Sequence, residues 1–190
     1  MNRVYSKNLT LALLALVMAA TRLSPLSGLA HLQDASWAVF FLAGFFLASQ
    51  WRWAFPGLMA EAIVIDFIAI RYFGVSNYCV TAAYWFLVPS YAVLWMGGSW
   101  LRRHHSFDLR GLASFVISLS VALSVCFLIS NASFYWLGGR VADSSWNGWL
   151  SNMSDWYWPM LRVPLVYVGA VALIYATVPK ARAEVSRQLR

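Results

Sequence analysis

The sequence contains little charge. Only 11% of its 190 residues are Asp, Glu, Lys or Arg, whereas a soluble domain carries about 25%. The apolar fraction is 61%, above the roughly 45–50% of soluble domains. Eleven tryptophans agree with this, because indole rings gather at membrane–water boundaries. The composition therefore excludes an ordinary soluble domain and indicates an integral membrane protein in contact with the lipid bilayer.

Several functional motifs are also missing. The two cysteines, Cys79 and Cys126, form no Cys-x-x-Cys pair, which argues against a thiol–disulfide exchanger of that type. The phosphate-binding motif G-x-x-x-x-G-K-[ST] is absent, so no energy source is visible. The net charge of +7 does not indicate nucleic-acid binding, because the basic residues lie between and beyond the apolar runs and form no dense basic face.

Apolar stretches predict six membrane-spanning helices, since a span needs about 20 residues, or about 17 at the short end. They lie near 8–23, 36–51, 57–72, 79–98, 111–137 and 159–178. The first two are short, so we expect local thinning of the bilayer or support from neighbouring helices. The N-terminus resembles a signal peptide, but the topology requires it as a retained first helix. The prediction is a single all-α transmembrane domain over residues 1–190.

The basic residues predict the orientation, because Lys and Arg concentrate in cytoplasmic segments. With both termini cytoplasmic, ten basic residues lie inside and four outside. The inner ones are Arg3, Lys7, Arg52, Arg102, Arg103, Arg110, Lys180, Arg182, Arg187 and Arg190, and the outer ones are Arg22, Arg71, Arg140 and Arg162. The loops near 24–35, 72–79 and 138–158 then face outward. The last of these is rich in tryptophan, which is typical of an interfacial helix or of an aromatic lid over a large apolar ligand.

Cys79 lies in a polar break, "FGVSNYCVTAAYWF", between two apolar runs. Ser76 or Asn77 is expected to cap the fourth helix. Cys79 would then lie in the first helical turn, where the helix dipole favours the thiolate. The small side chains of Ala82 and Ala83, one turn further on, are expected to leave room for a flat ligand.

The spacing leaves three roles open for this thiol. Cys79 is a passive interfacial residue, a nucleophile paired with His31, or a ligand to a metal that arrives inside its own macrocycle. Cys126 is interpreted as a small buried apolar residue. It lies about 16 Å below the outer end of the fifth span, which argues against a disulfide, since that requires Cα atoms within about 7 Å.

Two carboxylates fall inside the predicted third span, where ionisable groups are costly and usually functional. Asp66, nearer the outer mouth, either pairs with Arg71 or Arg162 or accepts hydrogen bonds from a polar ligand. Glu61, nearer the inner half, is a candidate for gating or partner contact. The pair His104 and His105 is interpreted as part of a topology-determining basic loop, not as a metal site.

The first helix carries Ala12, Ala15 and Ala19 on one face. Small residues let helices approach closely in lipid. The face therefore serves either internal packing or the docking of another membrane protein.

These features resemble a known group of proteins. The six short spans, the Ala-x-x-x-Ala spacing of Ala15 and Ala19, and an outward site near the first, third and fifth loops look like the substrate-binding S-components of energy-coupling-factor vitamin transporters. More narrowly, "TRLSPLSG" after helix one and the cysteine in "SNYCVTAAYWF" resemble the BtuM family of small proteobacterial cobalamin transporters. The resemblance implies uptake of cobalamin (vitamin B12) across the bacterial inner membrane, with Cys79 bound to the cobalt of the corrin ring.

The resemblance suggests further roles. Asp66, Tyr84 and Arg162 are assigned by position to the amide periphery of the ring, and Tyr78 and His31 complete the candidate binding set. Family members are encoded without their own energising module, so docking of an energy-coupling-factor subunit on the alanine face stays open. If Cys79 takes an axial position, it displaces the ligand there, which implies thiol-dependent decyanation of cyanocobalamin. The alternatives are a membrane thiol enzyme using Cys79 as nucleophile and a transporter of a different vitamin.

Overall fold

A computed structural model describes residues 2–23, 33–106 and 108–179, with the side chains of residues 2–6 and of Cys79 outside the description. His31 and the end of "TRLSPLSG" therefore lie outside the described residues. The described residues are predominantly helical and include no strand, which confirms the all-α fold class. Its helices are α1 Asn2–Arg22, α2 Ser36–Leu47, α3 Trp51–Phe73, α4 Leu87–Arg103, α5 Leu109–Leu137 and α6 Trp146–Thr177.

Among the described residues, three helical runs are long and apolar enough to cross a membrane. They are Ser36–Phe73, Leu109–Leu137 and Trp146–Thr177, with mean hydropathies of 1.7, 2.5 and 1.7 over their most apolar windows. These runs give the chain the features of a membrane protein, as the composition indicates.

The first of these runs folds back on itself. The rings of Phe40 in α2 and Phe55 in α3 meet edge to face with centroids 5.6 Å apart. A straight helix would separate these residues by about 22 Å, at about 1.5 Å per residue. A short 3-10 turn, Ala48–Gln50, interrupts the helix and reverses the chain. The break expected between the second and third spans, at 52–56, therefore lies a few residues earlier, and α2 and α3 form a helical hairpin.

Contacts between distant residues show how the helices align at one end of the bundle, which we call the Arg22 end. Arg22, the last residue of α1, hydrogen-bonds Ser36 at the start of α2 and Asp66 in the C-terminal half of α3. Arg140, just after α5, donates from Nε to the carbonyl oxygen of Tyr78 at 3.2 Å. Because Tyr84, in the segment before α4, hydrogen-bonds Asp66, this segment and the end of α5 lie at this end too.

Two similar contacts join helices and turns at the opposite end of the bundle, which we call the Arg102 end. Lys7 Nζ, near the start of α1, donates to Ser49 Oγ in the hairpin turn at 2.9 Å. His105 Nε2, between α4 and α5, lies 2.6 Å from Tyr175 Oη near the end of α6. Successive helices therefore alternate in direction along the bundle.

Helices α2 and α4 approach each other closely, and two glycines permit this approach. A Cβ on Gly44 would lie 2.1 Å from the carbonyl oxygen of Trp95, and one on Gly98 would lie 2.0 Å from that of Phe41. Ser99 Oγ also donates across the contact to the carbonyl oxygen of Gly44 at 3.1 Å. Side-chain-free backbone contact of this kind is typical of tightly packed membrane helices. The close approach places α2 in the core.

The fourth predicted span, 79–98, begins and ends too early. The α-helix starts at Leu87 and ends at Arg103, with a 3-10 stretch, Ala82–Phe86, in front of it. Thr81 is extended, and its side chain accepts a hydrogen bond from the backbone nitrogen of Ala83 at 3.2 Å. Because an extended residue interrupts the helix there, the apolar pattern alone places the start wrongly.

The predicted outer loop 138–158 is mostly helical. Ser145 Oγ accepts a hydrogen bond from the backbone nitrogen of Gly148 at 3.1 Å, which caps α6, so the helix starts at Trp146. The aromatic stretch is thus continuous with the last predicted span, 159–178. The exposed rings of Trp146 and Trp158 would suit a membrane boundary, and the interfacial-helix and aromatic-lid interpretations both stay predictions.

Candidate functional site

A partly buried polar cluster occupies the Arg22 end. We call it the Arg22 cluster, and its members are Arg22, Asp34, Ser36, Asp66, Tyr84 and Tyr91. They come from α1, the start of α2, α3, the 3-10 stretch before α4, and α4 itself. The cluster therefore ties four helices together through hydrogen bonds.

Arg22 lies at the centre of this cluster with only 11% of its side chain exposed. Its Nε and Nη2 donate to the two carboxylate oxygens of Asp66 at 2.6 and 2.7 Å. Its Nη1 donates to Asp34 Oδ2, Ser36 Oγ and Tyr91 Oη at 3.0, 2.9 and 3.2 Å. A planar guanidinium suits this paired geometry, which fixes both position and orientation of the carboxylate.

Asp66 has different partners from those considered in the sequence. Besides Arg22, it accepts a hydrogen bond from Tyr84 Oη at 2.7 Å. The pairing with Arg71 or Arg162 is wrong, since both of those side chains are exposed and the ion pair is made by Arg22. The reason is tertiary: the end of α1 lies beside α3, so the closest cation comes from a distant part of the sequence.

Asp34 makes the cluster net negative. Its Oδ1 accepts hydrogen bonds from the backbone nitrogen of Ser36 at 2.9 Å and from Ser36 Oγ at 2.5 Å. One guanidinium thus faces two carboxylates, which leaves one excess negative charge. Asp34 is 47% exposed and Asp66 23% exposed. The cluster therefore presents oriented, partly accessible acceptor oxygens beside a cation that is already paired.

The backbone at Cys79 differs from the expectation. Ser76 does act as a cap, since its Oγ accepts from the backbone nitrogen of Tyr78 at 3.2 Å. However, it caps a three-residue 3-10 turn, Asn77–Cys79, of which Cys79 is the last residue. The placement of Cys79 in the first turn of the fourth α-helix is therefore wrong. A turn this short supplies little aligned dipole, so the argument that the helix favours the thiolate is lost.

The two alanines that were expected to leave room for a flat ligand differ in exposure. Ala82 is exposed, but Ala83 is buried. Ala83 therefore packs inward, and only Ala82 has the exposure that the prediction requires.

Tyr78 connects the cysteine turn to the end of α5. The Arg140 guanidinium lies 4.8 Å from the centre of the Tyr78 ring, and its Nε donates to the Tyr78 carbonyl oxygen at 3.2 Å. The ring of Phe134 lies 5.6 Å from the same ring. The backbone of Cys79 is thereby held at the Arg22 end, on the same side of the bundle as the Arg22 cluster.

The candidate set is gathered only in part. Tyr78, Tyr84 and Asp66 lie at the Arg22 end, and Tyr84 contacts Asp66 directly. Arg162 is exposed on α6, and His31 lies outside the described residues.

Arg22 is a functional residue that the sequence pattern identifies only as an outward basic residue. A usable signal existed, because a carboxylate predicted inside a span requires a cation. Arg22 lies at the outer end of the first predicted span, and Asp66 lies near the outer end of the third, so the two are at a similar depth.

Other predicted features can be placed as well. Cys126 is fully buried in the apolar core, as interpreted. Ala15 packs against the core, whereas Ala12 is exposed. His104 stacks on Trp100 with ring centres 4.2 Å apart, which is consistent with a structural loop. Throughout the described residues, no group of three or more His, Cys, Asp or Glu side chains is placed to hold a metal ion.

Comparison of the chain with protein-family models gives no match, and comparison with curated proteins gives none. A functional proposal therefore rests on the residues and geometry of the chain itself.

Proposed function

We propose that this chain binds cobalamin and takes it up across the bacterial inner membrane. The observation that carries the proposal is the 2.7 Å hydrogen bond from Tyr84 to Asp66. It joins the membrane-embedded carboxylate of α3 to the segment that follows Cys79. Three of the residues assigned to the corrin ring, Tyr78, Tyr84 and Asp66, thus lie at one end of the bundle together with the backbone of Cys79.

The proposal includes six membrane crossings with both termini in the cytoplasm. Its support is the alternating direction of the helices and the hairpin between α2 and α3. The 21 residues of α1 extend about 31 Å at 1.5 Å per residue, close to the roughly 30 Å of a hydrocarbon core. The Arg22 end would then be outward-facing, as the distribution of Lys and Arg predicts.

The proposed chemistry uses the thiolate of Cys79 as an axial ligand to the cobalt of the cargo. Sulfur is a soft ligand and suits a polarisable metal, and the corrin ring already supplies four nitrogens. One thiol is then enough, so the ligation requires no Cys-x-x-Cys pair around Cys79. The acceptor oxygens of Asp66, held in place by Arg22, would receive hydrogen bonds from the amide groups around the ring, with Tyr78, Arg162 and His31 as further contacts.

Removal of the upper ligand follows from this ligation. The sulfur lone pair forms the Co–S bond while cyanide leaves with the electron pair of the Co–C bond, so the cobalt is neither oxidised nor reduced. This step would give the protein a thiol-dependent decyanation of cyanocobalamin alongside its transport role.

The test is the visible spectrum of cyanocobalamin bound to the purified protein. We expect a shifted corrin spectrum and ligand retention through desalting for the wild type, and loss of both in Cys79→Ala. The buried Cys126→Ala serves as the matched thiol control and should behave like the wild type. An unchanged spectrum in the wild type, or equal retention by Cys79→Ala, contradicts the proposed cobalt ligation.

Two alternatives give different outcomes. A membrane thiol enzyme would be alkylated at Cys79 with no protection by cobalamin. A transporter of another vitamin would fail to restore growth of a cobalamin-dependent strain that lacks its own uptake system, although the protein is well expressed. Restored growth that depends on Cys79 supports the cobalamin proposal.

A partner for energy coupling belongs to the same proposal. Ala12 is exposed on α1 beside the exposed side chains of Leu9, Leu13 and Leu16. The other two residues of the alanine face are less accessible, since Ala15 packs against the core and Ala19 is half-buried. An energy-coupling-factor subunit would therefore dock on the Ala12 side of the helix, and Ala12→Trp should abolish copurification with such a subunit if this holds.

A further inference from the structure

The three-residue turn that contains Cys79, which we call the Cys79 turn (Asn77–Cys79), is held internally by local hydrogen bonds. Ser76 Oγ accepts from the backbone nitrogen of Tyr78, and the backbone nitrogen of Val80 donates to the carbonyl oxygen of Asn77 at 2.9 Å. Bonds within five consecutive residues fix the shape of a turn but not its place against the helices. A 3-10 turn this short also has poor hydrogen-bond geometry, so its position depends on contacts with distant residues.

Arg140 makes two such contacts with Tyr78, the residue before Cys79. Its Nε donates to the Tyr78 carbonyl oxygen at 3.2 Å, and its guanidinium carbon lies 4.8 Å from the centre of the Tyr78 ring. That carbonyl belongs to the same peptide group as the backbone nitrogen of Cys79. One contact therefore fixes the peptide plane that leads into Cys79, and the other fixes the ring beside it.

The end of α5 brings Arg140 to this position. The helix ends at Leu137, and Gly139 follows with φ +63°, a left-handed conformation that glycine adopts readily. The chain thereby changes direction just before Arg140. One turn earlier in α5, the ring of Phe134 lies 5.6 Å from the same Tyr78 ring. The Cys79 turn is thus clasped by α5 at two points.

We propose that Arg140 is a positioning residue for the cobalt ligation by Cys79, an inference that rests on the proposed function. Arg140 touches neither the thiol nor the cargo in this role. It holds the backbone from which the thiol extends, because a metal ligand has to be held within about 0.5 Å of its productive position by supporting contacts. Without the clasp, the turn is ordered only when cargo binds, and the entropy lost in ordering it weakens binding.

The clasp itself can be tested without cobalamin, by hydrogen exchange of the full-length protein in detergent. In Arg140→Gln, amides of residues 77–80 should exchange about tenfold faster, as expected for loss of a charged hydrogen bond and a cation–π contact. Arg140→Lys should be intermediate, because it keeps the cation but loses the planar donor. Arg71→Gln, an exposed arginine at the same end, is the matched control and should leave this exchange unchanged. Amides of α3 should exchange as in the wild type in all three variants.

The effect on ligation is measured by titrating each protein with cyanocobalamin and following the Cys79-dependent shift of the corrin spectrum. Arg140→Gln should reach the same final spectrum as the wild type but need about tenfold more cobalamin, with Arg140→Lys between them. Gly139→Val keeps the arginine but disfavours the left-handed backbone before it, and it should shift the titration in the same direction.

The outcomes separate this role from the proposed function. Unchanged exchange at residues 77–80 in Arg140→Gln overturns the clasp. Faster exchange with a wild-type titration shows that the contact is structural only and overturns the positioning role. A wild type with no Cys79-dependent shift contradicts the proposed function and this role together, whereas a shift that Arg140→Gln leaves intact overturns only the role of Arg140.

Discussion

Arg22 holds Asp66 through two parallel hydrogen bonds, Nε to Oδ1 at 2.6 Å and Nη2 to Oδ2 at 2.7 Å. The two residues are separated by 44 positions in the chain. This pair joins α1 to α3 and lets the protein keep two carboxylates at the end of an otherwise apolar bundle. It is the clearest structural reason for the position of the candidate site.

Removing the cation of this pair should destabilise the protein. Arg22→Gln leaves two carboxylates without their common partner. Because both carboxylates are partly exposed, we expect a cost at or below the lower end of the about 3–5 kcal/mol for breaking a buried pair. We expect a markedly lower free energy of unfolding in detergent, with Arg22→Lys in between because it loses the two-point geometry. Arg71→Gln, at an exposed arginine, should stay within about 0.5 kcal/mol. If Arg22→Gln lowers the free energy of unfolding as little as Arg71→Gln does, the Arg22 cluster does not stabilise this end of the bundle.

The contact between α2 and α4 should not tolerate a methyl group. In Gly44→Ala the new Cβ would meet the Trp95 carbonyl oxygen at 2.1 Å, so the helices must separate, at a cost of about 1–3 kcal/mol. Gly57→Ala is the matched control, because nothing lies within 4 Å of its Cβ position in α3. The free energy of unfolding of Gly57→Ala should rise by up to about 1 kcal/mol, since alanine favours the helix more than glycine does. Thermal unfolding of the two variants side by side gives the comparison, and equal stability would show that α2 and α4 are not in backbone contact.

The two ends of the bundle should label differently in cells. In a chain lacking both native cysteines, Ser49→Cys lies at the Arg102 end and Ser144→Cys, at an exposed position between α5 and α6, lies at the Arg22 end. With the proposed orientation, a membrane-impermeant maleimide reacts with Ser144→Cys in intact spheroplasts and reacts with Ser49→Cys only after lysis. The reverse pattern would invert the proposed orientation, and labelling of both positions before lysis would place both ends on the same side.

The stability of the start of α5 should depend on pH, because the carboxylate of Asp108 caps this helix. Hydrogen bonds from Ser106 Oγ and from the backbone nitrogen of Gly111 lower the pKa of Asp108. A carboxyl whose pKa is lower in the folded state stabilises the fold above its unfolded pKa, near 3.9, and loses that contribution as pH falls through the folded value. Asp108→Asn should therefore flatten the decline in stability between about pH 5 and 2, measured by thermal unfolding. Ser144→Ala, an exposed change that removes no titratable group, should leave the decline as steep as in the wild type.

The sequence is sufficient where the signal is local. The helical class follows from long apolar runs, and Cys126 is a core residue, as predicted. The predicted start of the fourth span is wrong because an extended Thr81 and two 3-10 turns interrupt a continuous apolar pattern. The predicted start of the last span is wrong because the aromatic stretch before it is too polar to be recognised as part of a spanning helix.

The sequence by itself determined that this is an all-helical membrane protein with a lone cysteine in a polar break. Composition and hydropathy suffice for that, because the bilayer imposes length and apolarity on each helix separately. Only the tertiary structure decided that Arg22 is the partner of Asp66, that Gly44 and Gly98 bring α2 against α4, and that Cys79 ends a short turn. These features depend on which helices become neighbours, and the apolar pattern of a single helix does not specify its neighbours.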